Sequence, residues 1–255
     1  MLLAPHPDDE VLGGGITLQR AVAAGAPIQV IYATDGENNP WPQRALQRKW
    51  RVTPRDRERW GRLRRMEARA ALRALGVGRG SAYFCGLPDQ GLTPLMKSDR
   101  APAIARFYKL IVTWQPTLLL VPAITDTHAD HRALALAMKR MAARLQTRLP
   151  NLTIWSYHVH GRRKAFLRHA AVMKESPGEV AVKVTALRCH KSQLALSKRR
   201  FLRYATRGEP LVDLLVSLGL SESNWQKNSR HRNHSDHAAS GRAEGTSDLC
   251  YASSG

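Results

Sequence analysis

MLLAPHPDDEVLGGG (residues 1–15) decides the fold, and TLLLVPAITDTHADHR (residues 117–132) repeats its logic later in the chain. In the first stretch Met1–Ala4 reads as a short apolar strand that runs into a tight Pro5-His6-Pro7 loop. Asp8, Asp9 and Glu10 then supply an acidic first turn, because carboxylates favour the positive N-terminal end of a helix. That helix is expected to reach about Ala24, with Gly25 suited to its end. Pro27–Ala33 (PIQVIYA) is compact and β-branched, as a buried strand requires. In the second stretch Thr117–Val121 is again a buried strand, followed by a loop carrying Asp126 to His131 and a helix from about Arg132 to Leu145.

The intervening segments keep the same alternation. The prolines between Asn38 and Pro54 predict a long loop. Arg55–Leu75 places Trp60, Leu63, Ala70, Leu72 and Leu75 among many arginines, an amphipathic basic helix closed by Gly76. A short strand (Ser81–Cys85), a turn-rich loop (Gly86–Gly91), a helix (Ile104–Trp114) and a strand (Leu152–His158) follow, and Val180–Val184, Ala186–Leu196 and Leu211–Leu218 complete the folded part. Strands alternating with helices predict an α/β fold with an open, mostly parallel sheet.

Composition bounds the function. Among 255 residues, 40 Lys+Arg against 20 Asp+Glu give a formal charge of +20, with 43% hydrophobic and 24% charged residues. These fractions are ordinary for a globular protein and exclude fibrous, collagen-like and wholly disordered chains. The apolar stretches Leu118–Ile124 and Leu211–Leu220 are too short to cross a bilayer, so no transmembrane segment is expected. The N-terminus lacks a basic region followed by a long apolar segment, so no secretory signal is expected. Three cysteines, Cys85, Cys189 and Cys250, without metal-type spacing fit a reducing, cytoplasmic setting. Beyond Ser221 the chain has no Ile, Val, Phe or Met, which predicts a folded domain over 1–220 and a disordered tail over 221–255. The His231, His234 and His237 cluster has a spacing that could bind adventitious metal, but it lies in that tail and is read as carrying no site.

The two strand-end loops concentrate imidazoles and carboxylates where α/β folds place their sites. A divalent metal is the simplest reason to converge them. His6 and Asp9, three apart, can face one ion, and His131 from the second loop completes a three-residue set that leaves a position for water, the pattern of a catalytic zinc site. Nitrogen and oxygen donors without thiolate make Zn2+ the default, with Fe2+ or Co2+ also compatible. Metal-activated water would be available near neutral pH. Asp8, beside Asp9, is the candidate general base, His128 the candidate oxyanion partner, and Asp130 a carboxylate able to orient an imidazole. The ordinary alternatives are helix N-terminal acids, a capping His128 and a surface His131.

APHPDDEVLGGG, Thr34-Asp35-Gly36-Glu37, the spaced Arg64, Glu67, Ala71 and Leu75-Gly76, Gly86-Leu87-Pro88-Asp89, and Thr127-His128-Ala129-Asp130-His131-Arg132 resemble, in this order, the motifs of the PIG-L/LmbE-like zinc N-deacetylases. The resemblance covers about residues 1–220. It implies a Rossmann-like fold and hydrolytic removal of an N-acetyl group from an N-acetylglucosamine-type amino sugar or its conjugate. It also implies one zinc on His6, Asp9 and His131, with Asp8 as base and His128 on the oxyanion. Arg64 corresponds to a family arginine that contacts the substrate sugar, with Arg62 and Arg65 beside it keeping the register open. Asp89 falls in a loop near the substrate, and His160 is similar to a late histidine near the site of some members.

The competing reading is a basic nucleic-acid- or anionic-surface-binding protein built on the arginines of residues 55–73, with an inactive deacetylase fold. No recognition-module signature accompanies those arginines, and Asp56, Glu58 and Glu67 dilute them, so no specific nucleic acid is expected. The charge instead suggests a phosphorylated or lipid-linked sugar substrate. A homo-oligomer is compatible with the sequence.

Overall fold

The computed structural model describes residues 1–97, 101–161, 164–168 and 170–214. The expected tail over 221–255, with Cys250 and its histidines, lies outside them. In chain order the described elements are β1 (Leu2–Ala4), α1 (Asp9–Ala23), β2 (Val30–Thr34), α2 (Pro40–Gln47), α3 (Pro54–Ala74), β3 (Ala82–Leu87), α4 (Leu92–Leu95), α5 (Pro102–Trp114), β4 (Leu118–Pro122), α6 (Ala129–Arg148), β5 (Thr153–Tyr157), α7 (Lys164–Leu167), β6 (Ala171–Met173), α8 (Pro177–Cys189), α9 (Lys191–Leu202) and β7 (Glu209–Asp213). The strands form one sheet in the order β3-β2-β1-β4-β5-β7-β6. The five strands from β3 to β5 are parallel, and β7 runs antiparallel to both β5 and β6. The mostly parallel α/β sheet expected from the alternation is therefore present. No described helix is long and apolar enough to cross a membrane.

Only three residues long, β1 sits inside this sheet between β2 and β4. Leu2, Leu3 and Ala4 pair with Val30, Ile31 and Tyr32, and Leu2 also faces Leu120 of β4. All three are fully buried. Side chains alternate across a strand, so Leu3 and Ile31 join Phe107, Ile111, Leu134, Met138 and Met141 of α5 and α6 on one face. Leu2, Val30 and Tyr32 join Val11, Ala68, Leu72, Ala186 and Leu187 of α1, α3 and α8 on the other. Each fully buried leucine stabilises the fold by about 1.5–3 kcal/mol, which offsets the brevity of the strand.

Helix α1 lies unusually close to the sheet because of Gly13 and Gly14. A Cβ on Gly13 would stand 2.2 Å from the Tyr157 ring, and one on Gly14 would stand 2.4 Å from Leu2. Tyr157 is itself fixed by its hydroxyl, which donates to the Leu3 carbonyl at 2.7 Å. This packing sets the height of the α1 N-terminus above the end of β1.

Two local expectations are corrected. The proline-rich segment read as a loop contains α2, since Pro40 occupies the helix start and Asn39 accepts from the Trp41 N–H. Proline is tolerated there because the first-turn N–H groups lack helical partners. The helix that follows the Asp126–His128 loop begins at Ala129, not Arg132, so Asp130 and His131 stand in its first turn. Val180–Val184 belongs to α8, and β6 and α7 have no counterpart in the expected segments.

Candidate active site

Strand order reverses between β1 and β4, the place where an open α/β sheet leaves a crevice beyond its strand ends. The His6–Asp8 loop leaves β1 there, and the Ala123–His128 loop leaves β4. His6 donates its backbone N–H to Asp9 Oδ2 at 3.0 Å, and its Nδ1 lies 3.2 Å from the same oxygen. His131 Nε2 lies 3.1 Å from Asp9 Oδ2. The rings of His6, His128, His131 and His160 gather with centroid separations of 4.6 to 5.5 Å. Their donor atoms form sets within 4.8 Å that could hold an ion: His6, His128 and His131; Asp9, His131 and His160; His6, Asp89 and Asp130.

One buried atom supports a metal at this point. Asp9 Oδ1 makes no hydrogen bond although the residue is 1% exposed. Leaving such a group unmatched costs about 1–3 kcal/mol. Donors of this kind, nitrogen and oxygen without thiolate, fit a divalent ion.

A carboxylate that the sequence reading passed over, Asp126, orients the second loop. Its Oδ2 lies 3.1 Å from His131 Nδ1 and accepts from the Val159 and His160 N–H groups, while Oδ1 accepts from the His128 N–H at 2.9 Å. Burial opposes ionisation, but the contact with His131 and those amides hold Asp126 well below the usual carboxylate range. The arrangement turns His131 Nε2 toward Asp9, the role a carboxylate plays behind a ligating imidazole. The available signal was its spacing, two residues before His128 and five before His131.

Asp130 is fully buried. It accepts from the Gln90 and Leu92 N–H groups at 2.7 and 3.1 Å, and its Oδ2 lies 3.4 Å from His6 Nε2. Asp89 reaches the same His6 nitrogen at 3.1 Å. Asp89 also accepts from the Asn38 N–H and donates its own N–H to Glu37, so it ties the β2 and β3 loops to His6. Against the opposing effect of burial, contact with His6 brings Asp89 down to about 2. His128 caps α6: its Nδ1 accepts from the Asp130 N–H at 3.3 Å. Burial and the neighbouring His6 lower its pKa. His160 is pushed down to about 4 by burial and by His131.

Asp8 stands next to this cluster with φ +133°, a backbone conformation that non-glycine residues rarely adopt. Burial raises its carboxyl to about 7, with Arg64 opposing and Asp9 adding to the rise. Arg64 donates to Asp8 Oδ2 at 3.0 Å, to the Gly36 carbonyl at 3.0 Å and to the Pro7 carbonyl. It is 3% exposed and reaches Asp8, whereas Arg62 pairs with Glu58 and Arg65 with Asp35. A Cβ on Gly36 would stand 1.7 Å from Arg64 Nη1, so only glycine leaves room for the guanidinium.

Comparisons with known proteins bear on the family and the fold. The chain is 42% identical over 139 residues to a 1D-myo-inositol 2-acetamido-2-deoxy-alpha-D-glucopyranoside deacetylase of Mycobacterium avium (strain 104). That alignment covers 49% of this chain and 45% of the relative, so the chain spans about half the length of the curated relatives it matches. Among solved structures, the N,N'-diacetylchitobiose deacetylase from Pyrococcus horikoshii shares the fold with a TM-score of 0.58 at 20% identity, covering 82% of this chain and 81% of that one. GalB, the 4-carboxy-2-hydroxymuconate hydratase from Pseudomonas putida KT2440, shares it with a TM-score of 0.62 at 19% identity, covering 81% and 82%. One fold thus carries more than one chemistry. The model of the family described as PIG-L, GlcNAc-PI de-N-acetylase, matches residues 1–142, more than half of the sequence, and the chain belongs to that family.

Proposed function

We propose that the protein is a metal-dependent hydrolase that removes an N-acetyl group from an N-acetylglucosamine-type amino sugar or its conjugate. The observation that carries this reading is the convergence of His6, Asp9 and His131 with the half-buried Asp8 beside them. His6, Asp9 and His131 would hold the ion, with Zn2+ the best fit to the donors. When bound, it supplies Lewis-acid polarisation of the acetyl carbonyl and a more acidic water.

The chain's own groups do the rest. Asp8 accepts the proton of the attacking water and returns it to the departing amine nitrogen, a task suited to a carboxyl whose pKa stands near 7. His128 Nδ1 accepts from a backbone N–H, so the neutral ring carries its proton on Nε2 and donates it to the oxyanion as negative charge develops. Asp126 fixes the tautomer and aim of His131, and Asp130 supports His6. His160 and Asp89 line the approach of the sugar, and Arg64 acts beside Asp8 at the base of that approach.

The basic surface favours an anionic substrate, phosphorylated or lipid-linked, over a nucleic acid. In α3, Arg59, Arg62, Arg64 and Arg65 are paired with carboxylates, and Arg69 lies over the Phe84 ring at 4.8 Å. The test is release of free amine from N-acetylglucosaminyl-inositol, N,N'-diacetylchitobiose and a phosphorylated N-acetylglucosamine conjugate, before and after chelation. Chelator-sensitive release from at least one supports the reading, and faster turnover of the phosphorylated compound supports the anionic preference. Turnover that persists after complete metal removal contradicts it.

A further inference from the structure

Asp8 has an unfavourable backbone conformation, φ +133° and ψ −27°, so its surroundings must hold it. Its N–H donates to Glu10 Oε2 at 2.8 Å. Glu10 is fully buried, and its other oxygen, Oε1, lies 2.9 Å from Nε2 of His190, which is also fully buried. With one oxygen held by His190, the Glu10 carboxylate is fixed in the rotamer that presents the other to Asp8.

A second arm reaches the Asp8 side chain. Ser192 donates its N–H to Glu67 Oε1 at 2.8 Å and its hydroxyl to Glu67 Oε2 at 2.5 Å. Glu67 is buried and stands one helical turn after Arg64 on α3, and residues three apart share a helix face. Ser192 therefore pins the turn from which Arg64 donates to Asp8 Oδ2 and to the Pro7 carbonyl.

We propose that the corner between α8 and α9, His190 to Ser192, is a positioning element for the base of the reaction: His190 sets the Asp8 amide through Glu10, and Ser192 sets its carboxylate through Glu67 and Arg64. The corner lies outside residues 1–142, which the family model matches. Among the described residues, no hydrogen bond or ion pair joins His190 or Ser192 to His6, Asp9 or His131. The inference rests on Asp8 acting as the base.

The test compares His190→Leu, His190→Gln and Ser192→Ala with the wild type by kcat, KM, metal per chain and amide exchange over residues 6–12. The glutamine amide N–H occupies the place of Nε2–H and retains the bond to Glu10. His190→Leu is expected to lose kcat by roughly tenfold to a hundredfold, the scale of a misplacement of about 1 Å, with KM and metal content unchanged and faster exchange at Asp8. His190→Gln restores most of the rate. Ser192→Ala, a milder change that retains the fold if His190→Leu does not, gives a smaller loss with the same KM-independent character. Wild-type kcat and exchange in His190→Leu, or equal losses in the leucine and glutamine variants, would overturn the proposal. If the wild type releases no amine from any N-acetyl sugar, the functional reading fails separately. Exchange then decides the clamp: faster in the leucine but not the glutamine variant supports it, and unchanged exchange overturns it.

Discussion

Two identical substitutions, Gly13→Ala in α1 and Gly178→Ala in α8, should shift stability in opposite directions. Replacing a helical glycine by alanine ordinarily stabilises by up to about 1 kcal/mol, because the unfolded chain loses freedom. At Gly178 nothing lies within 4 Å of the added Cβ, so the ordinary gain applies. At Gly13 the Cβ meets Cδ2, Cε2 and Cγ of Tyr157 at 2.2, 2.7 and 2.9 Å, against 3.4 Å for ordinary contact. The clash is with the body of a fully buried ring whose hydroxyl is bonded to Leu3, so the ring has no free space to enter. Overpacking of this kind costs about 1–3 kcal/mol. A net loss of about 2 kcal/mol lowers Tm by roughly 4–8 °C in a protein of this size. Relief by lifting α1 would also displace Asp9, one turn before Gly13, so metal affinity should fall with stability. Thermal denaturation and a competitive chelator titration of both variants check the argument. It is refuted if Gly13→Ala is as stable as the wild type, or if the two variants shift Tm in the same direction.

Further outcomes follow from particular contacts. Asp126→Asn removes the carboxylate behind His131 and should weaken metal binding by roughly 10–100-fold, read by chelator competition. Lys183→Met leaves Glu209, whose carboxylate also accepts from the Ile16 and Thr17 N–H groups, buried without its cation; a loss of about 3–5 kcal/mol in denaturant unfolding is expected. Burial alone would lower the pKa of His190, but the Glu10 carboxylate outweighs it and raises the value above 6.5. A raised pKa stabilises the folded state most below pH 6.5 and loses that contribution as pH climbs through the folded value. The Tm advantage of the wild type over His190→Leu should therefore shrink between pH 6 and pH 9, and an advantage that grows with pH would contradict the pairing.

Much of this architecture was legible because two signals coincide in the sequence: apolar runs that end in loops rich in His and Asp. β1, β2 and β4 lie close to their expected places, as do α1, α3 and α5. The prolines of residues 40–54 misled because position within a helix, not presence, decides what proline does; Pro40 and Pro54 both open helices. α6 starts three residues before the expected Arg132 because His128 is an uncommon cap, and its Nδ1 does what a Ser or Asp oxygen usually does. Asp126 was passed over since its role depends on the β5 loop folding back to place the Val159 and His160 amides on it. Contacts of that range leave no local pattern. The same holds for His190 and Ser192, which meet Glu10 and Glu67 from 180 and 125 residues away. Arg64 was distinguishable from Arg62 and Arg65 only by burial.

The central claim is that Asp8 moves protons beside a metal it does not ligate. Metal content and release of free amine from N-acetylglucosamine conjugates, measured together on the wild type and Asp8→Ala, test it most directly. The account predicts about one divalent ion per chain in both proteins, with amine release by the wild type and a loss of at least roughly a hundredfold in the variant. Undiminished turnover by Asp8→Ala, or a wild type that binds no divalent ion, would contradict it.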